Sequence, residues 1–366
     1  MTAPSRSIVT ARLHQVGQSL WLDNITRAML DSGTLQKYIN DLSVTGLTSN
    51  PTIFEKAVSG SGDYDAQLRT VAARTTDPEA IFFELAIADL TRAADLFRPV
   101  HDRTAGVDGF VSLEVSPKLA NDTAATIAQA KSLFAKANRK NLYIKVPGTR
   151  EGVPAIEELI YAGIPINVTL LFSKEQYLAA ADAYLRGIER RVAEGKSANV
   201  SSVASLFVSR WDRATSAALP PALQNKTGIA VAQVCYKEYL DLISSSRFLA
   251  LEAKGAFPQR LLYASTGTKD PALKATMYLE ALASPNTVNT IPEETLLAFA
   301  QQGTLGDLVP TNGLAAQRVL DETTKAGVDL AAVAEKLQLE GRDSFIKSWK
   351  DLIAVVEKRA GVLVTR

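Results

Sequence analysis

Eight short apolar runs, each stopped by a polar residue, a proline or a glycine, recur along this chain with segments of helical spacing between them. They read QSLWLD (18–23), VTGLTSNP (44–51), GFVSLEVSP (109–117), NLYIKVPGT (141–149), INVTLLFS (166–173), SVASLFVSRWD (202–212), RLLYASTGTKDP (260–271) and TVNTIP (287–292). Runs of this length, rich in β-branched and aromatic residues, predict strands buried on both faces, and strands alternating with helices predict a parallel sheet. Eight such units in succession predict one (β/α)8 barrel. A doubly wound open sheet is the second choice, but no GxGxxG follows an early strand. Two domains fit less well, because no Pro-, Ser- or Gly-rich linker divides the chain. The expectation is a single barrel domain over 1–366 with a helical extension from about 293.

Helices are expected over 25–42 with a break near Gly33, over 63–98, 121–138, 152–162, from Ser173 onward, over 228–254 and 272–282, and after the last strand over 314–326, 330–339 and 341–358. Asp77 followed by Pro78, and Ser173 ahead of its helix, have the chemistry of N-caps.

Composition removes several function classes. Forty Lys and Arg against thirty-nine Asp and Glu give a net charge of +1, so no general field draws the chain to nucleic acid or an anionic membrane. Any anion site must be local. One cysteine, Cys235, excludes an internal disulfide framework, and two histidines, His14 and His101, with that one cysteine make a structural zinc site a poor expectation. No run approaches the roughly 18 apolar residues of a membrane span, and the first residues lack an apolar core of a signal peptide. The expectation is a soluble cytoplasmic protein without metal or cofactor, free to form homo-oligomers.

The informative pattern is where polar residues interrupt the strands. Lys145 sits just before a Val-Pro-Gly stop, at the C-terminal end of the fourth strand. A half-desolvated ammonium there is expected to lose its proton more readily and to attack a carbonyl. Asp23, Asn50, Glu114, Asn167, Thr169 and Ser205 also interrupt or end strands, and in a barrel those ends surround one mouth. Asn167 and Thr169, two apart, share a face. Each residue also has an ordinary role: Asp23 a helix N-cap, Asn50 a turn residue, Ser205 a core hydroxyl, Lys145 a strand-end lysine reaching solvent, Arg210 a solvated arginine. Together they suggest retro-aldol chemistry through an imine on Lys145, with Glu114 and Thr169 placed to carry protons and hold a water. Arg210 would hold a phosphate, with Ser205, Ser265 and the Gly267–Lys269 loop as further donors.

The motifs TSNPTIF, VSLEVSP, LYIKVPGT, INVTLLFS and the 205–210 run, in this order on successive strands, resemble the transaldolases. The resemblance covers strands one to seven. It implies a (β/α)8 barrel and metal-free transfer of a dihydroxyacetone unit from sedoheptulose 7-phosphate to glyceraldehyde 3-phosphate, giving erythrose 4-phosphate and fructose 6-phosphate in the pentose phosphate pathway. It also implies Lys145 as Schiff-base lysine, Glu114 and Thr169 as the pair around the catalytic water, and Asp23 as base for the carbon–carbon step. Asn50 and Asn167 would position substrate, and Ser205 and Arg210 would bind phosphate. Two departures stand out. Many transaldolases read Ser-Phe-Arg after the seventh strand where this chain reads Ser265-Thr266-Gly267-Thr268-Lys269, which moves the second cationic phosphate ligand to Lys269. The chain is also longer than the shorter transaldolases, mostly after the eighth strand. Three rivals remain at this point: a Schiff-base fructose-6-phosphate aldolase-type lyase, a non-catalytic phosphosugar-binding barrel, and, less favoured, a metal-dependent aldolase.

Overall fold

A computed structural model describes residues 7–268 and 270–364. Eight parallel strands close on themselves in chain order: β1 (Gln18–Leu22), β2 (Val44–Thr48), β3 (Val111–Glu114), β4 (Leu142–Pro147), β5 (Ile166–Leu171), β6 (Ser202–Phe207), β7 (Gln259–Ala264) and β8 (Thr287–Ile291), with β8 paired back to β1. Every residue of these strands is buried, as a sheet with side chains inside and helices outside demands. All eight expected strands are present in a (β/α)8 barrel.

The register places the polar strand ends side by side. Glu114 is paired with Lys145, Lys145 with Asn167, and Pro147 with Thr169. β5 ends in an irregularity between Val168 and Leu171, and Leu170 is held at a φ of 63°. Such a bulge at a barrel rim bends the strand and re-aims its side chains.

The opposite end of the barrel is plugged. Trp21 fills space left by Gly46, where a Cβ would stand 2.6 Å from the indole. Tyr143 stacks on Phe110 at 4.0 Å, and Trp21 Nε1 donates to Asp108 at 2.8 Å. A polar mouth opens at the C-terminal ends of the strands, where barrel enzymes carry their chemistry.

The helices depart from expectation in instructive places. The 63–98 segment is two helices, Asp65–Ala72 and Pro78–Arg103, because Asp77 caps the second by accepting from Glu79 N at 3.0 Å. Pro51–Gly60 is a helix that the spacing did not announce; Pro51 sits in its first turn and Asn50 caps it. The expected 272–282 helix shrinks to Met277–Ala281. The most consequential correction lies past β8. The segments 330–339 and 341–358 form one continuous helix, Leu330–Val364. An interior glycine costs a helix about 1 kcal/mol relative to alanine. Gly341 is kept inside it by close packing, since a Cβ there would meet Leu170 Cδ2 at 3.0 Å and Arg210 Nη1 at 3.2 Å.

Candidate active site

Lys145 does not reach solvent. It is 5% exposed and Glu114 7%, and Lys145 Nζ donates to Glu114 Oε2 at 3.2 Å and to the carbonyl of Ser49 at 3.4 Å. The pairing is a direct product of register, since the two residues face each other across β3 and β4. Burial pushes the Glu114 carboxyl above its ordinary range; the Lys145 ammonium opposes that shift, and the negative charge of Asp23 adds to it. The two groups stand within hydrogen-bond reach of each other, the geometry that a proton transfer between amine and carboxylate requires.

Asn167 lies beneath this pair. Its Nδ2 donates to Ser112 Oγ at 3.1 Å, and its Oδ1 accepts from Ser205 Oγ at 2.7 Å. Ser205 is thus a buried hydroxyl committed to Asn167, close to its ordinary alternative role. Thr169 is fully buried, and its hydroxyl makes no hydrogen bond with any described residue. Buried polar atoms are rarely left so, and one at a strand end in a reactive mouth is placed for a water or a substrate oxygen.

Asp23 stands past β1, where its Oδ1 accepts from Thr48 Oγ1 at 2.8 Å. It caps no helix; the next helix, Arg27–Asp31, is capped by Thr26. Asn50 does cap one, through Oδ1 accepting from Ile53 N at 3.1 Å. The cap fixes its carbonyl and leaves the amide nitrogen as the group it can present to a ligand.

Arg210 lies in the first turn of the helix Ser209–Thr215 after β6. It is half-buried, and no carboxylate among the described residues forms an ion pair with it. Burial lowers its pKa, the nearby Arg213 lowers it further, and Glu340 works the other way. Its guanidinium lies 5.3 Å from the Phe207 ring centroid. Ser265 joins it through Ser209, the two hydroxyls lying 3.0 Å apart, and Ser265 holds a φ of 55° that turns the β7 loop inward. Ser209, Arg210, Arg213, Ser265, Glu340 and Ser344 line one cavity of about 660 Å³. Lys269 lies outside the described residues.

Several participants were not read from sequence. The Ser49 carbonyl, Ser112, Thr48 and Ser209 are small polar residues at strand ends, distinguishable from ordinary β-formers only once the register is known. Phe345 is the larger omission: its ring centroid is 5.4 Å from Lys145 Nζ. Its helical spacing was visible, but not the surface that its helix covers. His14 and His101 sit at the far rim, His101 Nδ1 bonding the carbonyl of Asp108 at 3.0 Å ahead of β3. Among the described residues no group of three or more His, Cys, Asp or Glu is placed to hold a metal ion, and no helix is long and apolar enough to cross a membrane.

Comparison with known proteins agrees with this geometry. A family model described as transaldolase/fructose-6-phosphate aldolase matches residues 20–356. The transaldolase of Saccharopolyspora erythraea is 45% identical over 354 residues, covering 95% of this chain and 96% of that protein. The transaldolase of Thermobifida fusca is 45% identical over 351 residues (93% and 95%), and transaldolase 2 of Nostoc punctiforme 40% identical over 371 residues (96% and 97%). Likeness of this degree along nearly the whole of each chain, over a barrel whose strand ends gather a buried lysine and glutamate, makes the chain a member of the transaldolase/fructose-6-phosphate aldolase family.

Proposed function

We propose that this chain is a transaldolase that carries a dihydroxyacetone unit as a Schiff base on Lys145, from sedoheptulose 7-phosphate to glyceraldehyde 3-phosphate. The observation that carries the reading is the buried Lys145–Glu114 pair at neighbouring strand ends. Glu114 takes the ammonium proton, and the amine adds to the ketose carbonyl. The same proton, returned to the carbinolamine hydroxyl, expels water toward the unpartnered Thr169 hydroxyl. Asp23 then removes the hydroxyl proton across the bond to be broken, and the iminium receives the electron pair. Asn50 and Asn167 hold the hydroxyls of the bound unit, and Arg210 with the Ser209 and Ser265 hydroxyls takes the phosphate, by a charge-assisted contact that guanidinium geometry favours. Ser205 acts through Asn167, and Lys269 would add a second cation from the β7 loop. The barrel and the helices from about 293 work as one domain in the cytoplasm.

The test is intact mass after incubation with fructose 6-phosphate and borohydride. Wild type is expected to gain one reduced sugar-derived adduct and Lys145→Ala none; a wild type without adduct would sink the lysine reading. Product identity with and without an aldehyde acceptor then separates transferase from lyase.

A further inference from the structure

The Leu330–Val364 helix supplies none of the steps above, yet it lies across them. On one rim Gln338 Nε2 donates to the carbonyls of Gly148 (3.0 Å) and Leu170 (2.9 Å), at the ends of β4 and β5. On the other, Ser348 Oγ accepts from Thr52 Oγ1 at 2.9 Å, and Trp349 packs edge-on against Phe82 at 5.1 Å. Arg359 binds the carbonyls of Val58 and Ser61 and the carboxylate of Asp65. Tied at both sides, the helix hangs residues 341 and 345, one turn apart on one face, over the mouth. Phe345 is 9% exposed, with its ring 5.4 Å from Lys145 Nζ, 6.0 Å from Arg210 Cζ and 6.4 Å from the Phe207 ring.

We infer that Phe345 determines reaction specificity: it roofs Lys145 so that the lysine-bound three-carbon intermediate survives until an aldehyde arrives. The inference rests on the Schiff-base reading. The two fates of the intermediate differ in one reactant. In transfer, the enamine carbon attacks the aldehyde carbon, forming a carbon–carbon bond, and the aldehyde oxygen takes a proton. The new iminium is then hydrolysed by one water to release the ketose and the free amine, so the reactant that differs is the electrophile taken by the enamine carbon. In leakage, the same carbon takes a proton to give the iminium and water adds to the iminium carbon. The carbon–nitrogen bond then breaks with its electron pair left on nitrogen; one water is consumed, and dihydroxyacetone and the free amine are released. Phe345 covers the side from which solvent would deliver that proton to the enamine carbon, and its ring stands over the lysine nitrogen, 5.4 Å from ring centroid to Nζ.

The experiment uses the full chain with fructose 6-phosphate as donor and erythrose 4-phosphate as acceptor. The ratio of free dihydroxyacetone to transfer product is measured, and borohydride trapping on the same samples reports the adduct. Phe345→Ala is expected to keep the adduct and raise the ratio about tenfold, and Phe345→Leu, which keeps apolar bulk without the ring face, to raise it about threefold. An unchanged ratio in an adduct-forming Phe345→Ala protein overturns the roof. If that variant does not fold, an unchanged ratio in Phe345→Leu overturns it equally. A wild type that forms no adduct overturns the lysine reading itself, a failure distinct from the other two.

Discussion

A hydroxyl with nothing to bond to is the most telling residue in the mouth. Thr169 is fully buried and its oxygen has no hydrogen-bond partner among the described residues, on the strand beside a lysine that donates to Glu114 and to the Ser49 carbonyl. Removing a buried unpaired hydroxyl costs a fold nothing and can stabilise it by about 1 kcal/mol. Thr169→Val should therefore leave thermal unfolding unchanged or raise it, while turnover falls about ten- to a hundredfold and the borohydride adduct forms more slowly. A variant that loses stability and activity together would make Thr169 structural. At this scale the sequence showed chemistry better than geometry. Lys145, Glu114 and Asn167 were legible because a charged or amide group in a buried strand is costly unless it has work or a partner. That Ser205 is engaged by Asn167 could not be read, because that hydrogen bond joins two strands and its partner is supplied by the register. The Asn50 cap is instead a local bond to the amide three residues on, passed over because Pro51 reads equally as the stop of a strand.

Strands proved the most legible elements, since each is a local run whose two-faced burial is written in its own residues. The long helices were harder to delimit. The Leu330–Val364 helix passes through Gly341 because packing overrides the weak local preference against glycine, and no local signal reports what packs there. Gly341→Ala tests the trade. The helix gains about 1 kcal/mol in propensity, and the new methyl displaces Leu170 and Arg210 by a few tenths of an ångström. The melting temperature is expected to stay within a few degrees, while KM for fructose 6-phosphate rises several-fold with kcat little changed. A KM equal to wild type would mean that Arg210 gives way without loss and does not hold the phosphate at that spot.

The barrel is braced from outside by a second ion pair, half-buried at its arginine and fully buried at its carboxylate. Arg27, just past β1, meets Asp89 in the Pro78–Arg103 helix at 2.8 Å, and Tyr64 Oη donates to the same carboxylate at 2.9 Å. Burial raises the Asp89 pKa, and Arg27 is the chief opposing influence. A carboxyl whose folded pKa exceeds its unfolded value of about 3.9 favours folding most below that value, and the benefit is lost as pH rises through the folded pKa. Arg27→Ala raises that folded pKa further. It should cost about 3–5 kcal/mol at neutral pH and distinctly less near pH 5, where the stranded carboxyl can hold its proton. Urea titrations at the two pH values check this; equal losses would show that Asp89 keeps its charge without Arg27. The closure of the mouth has a consequence in time as well as space. Phe345 stands far behind Lys145 in the chain, so the strands bearing the amine leave the ribosome well before the helix that covers it. Until that helix docks, each newly made barrel carries an open amine facing the aldehydes of its surroundings.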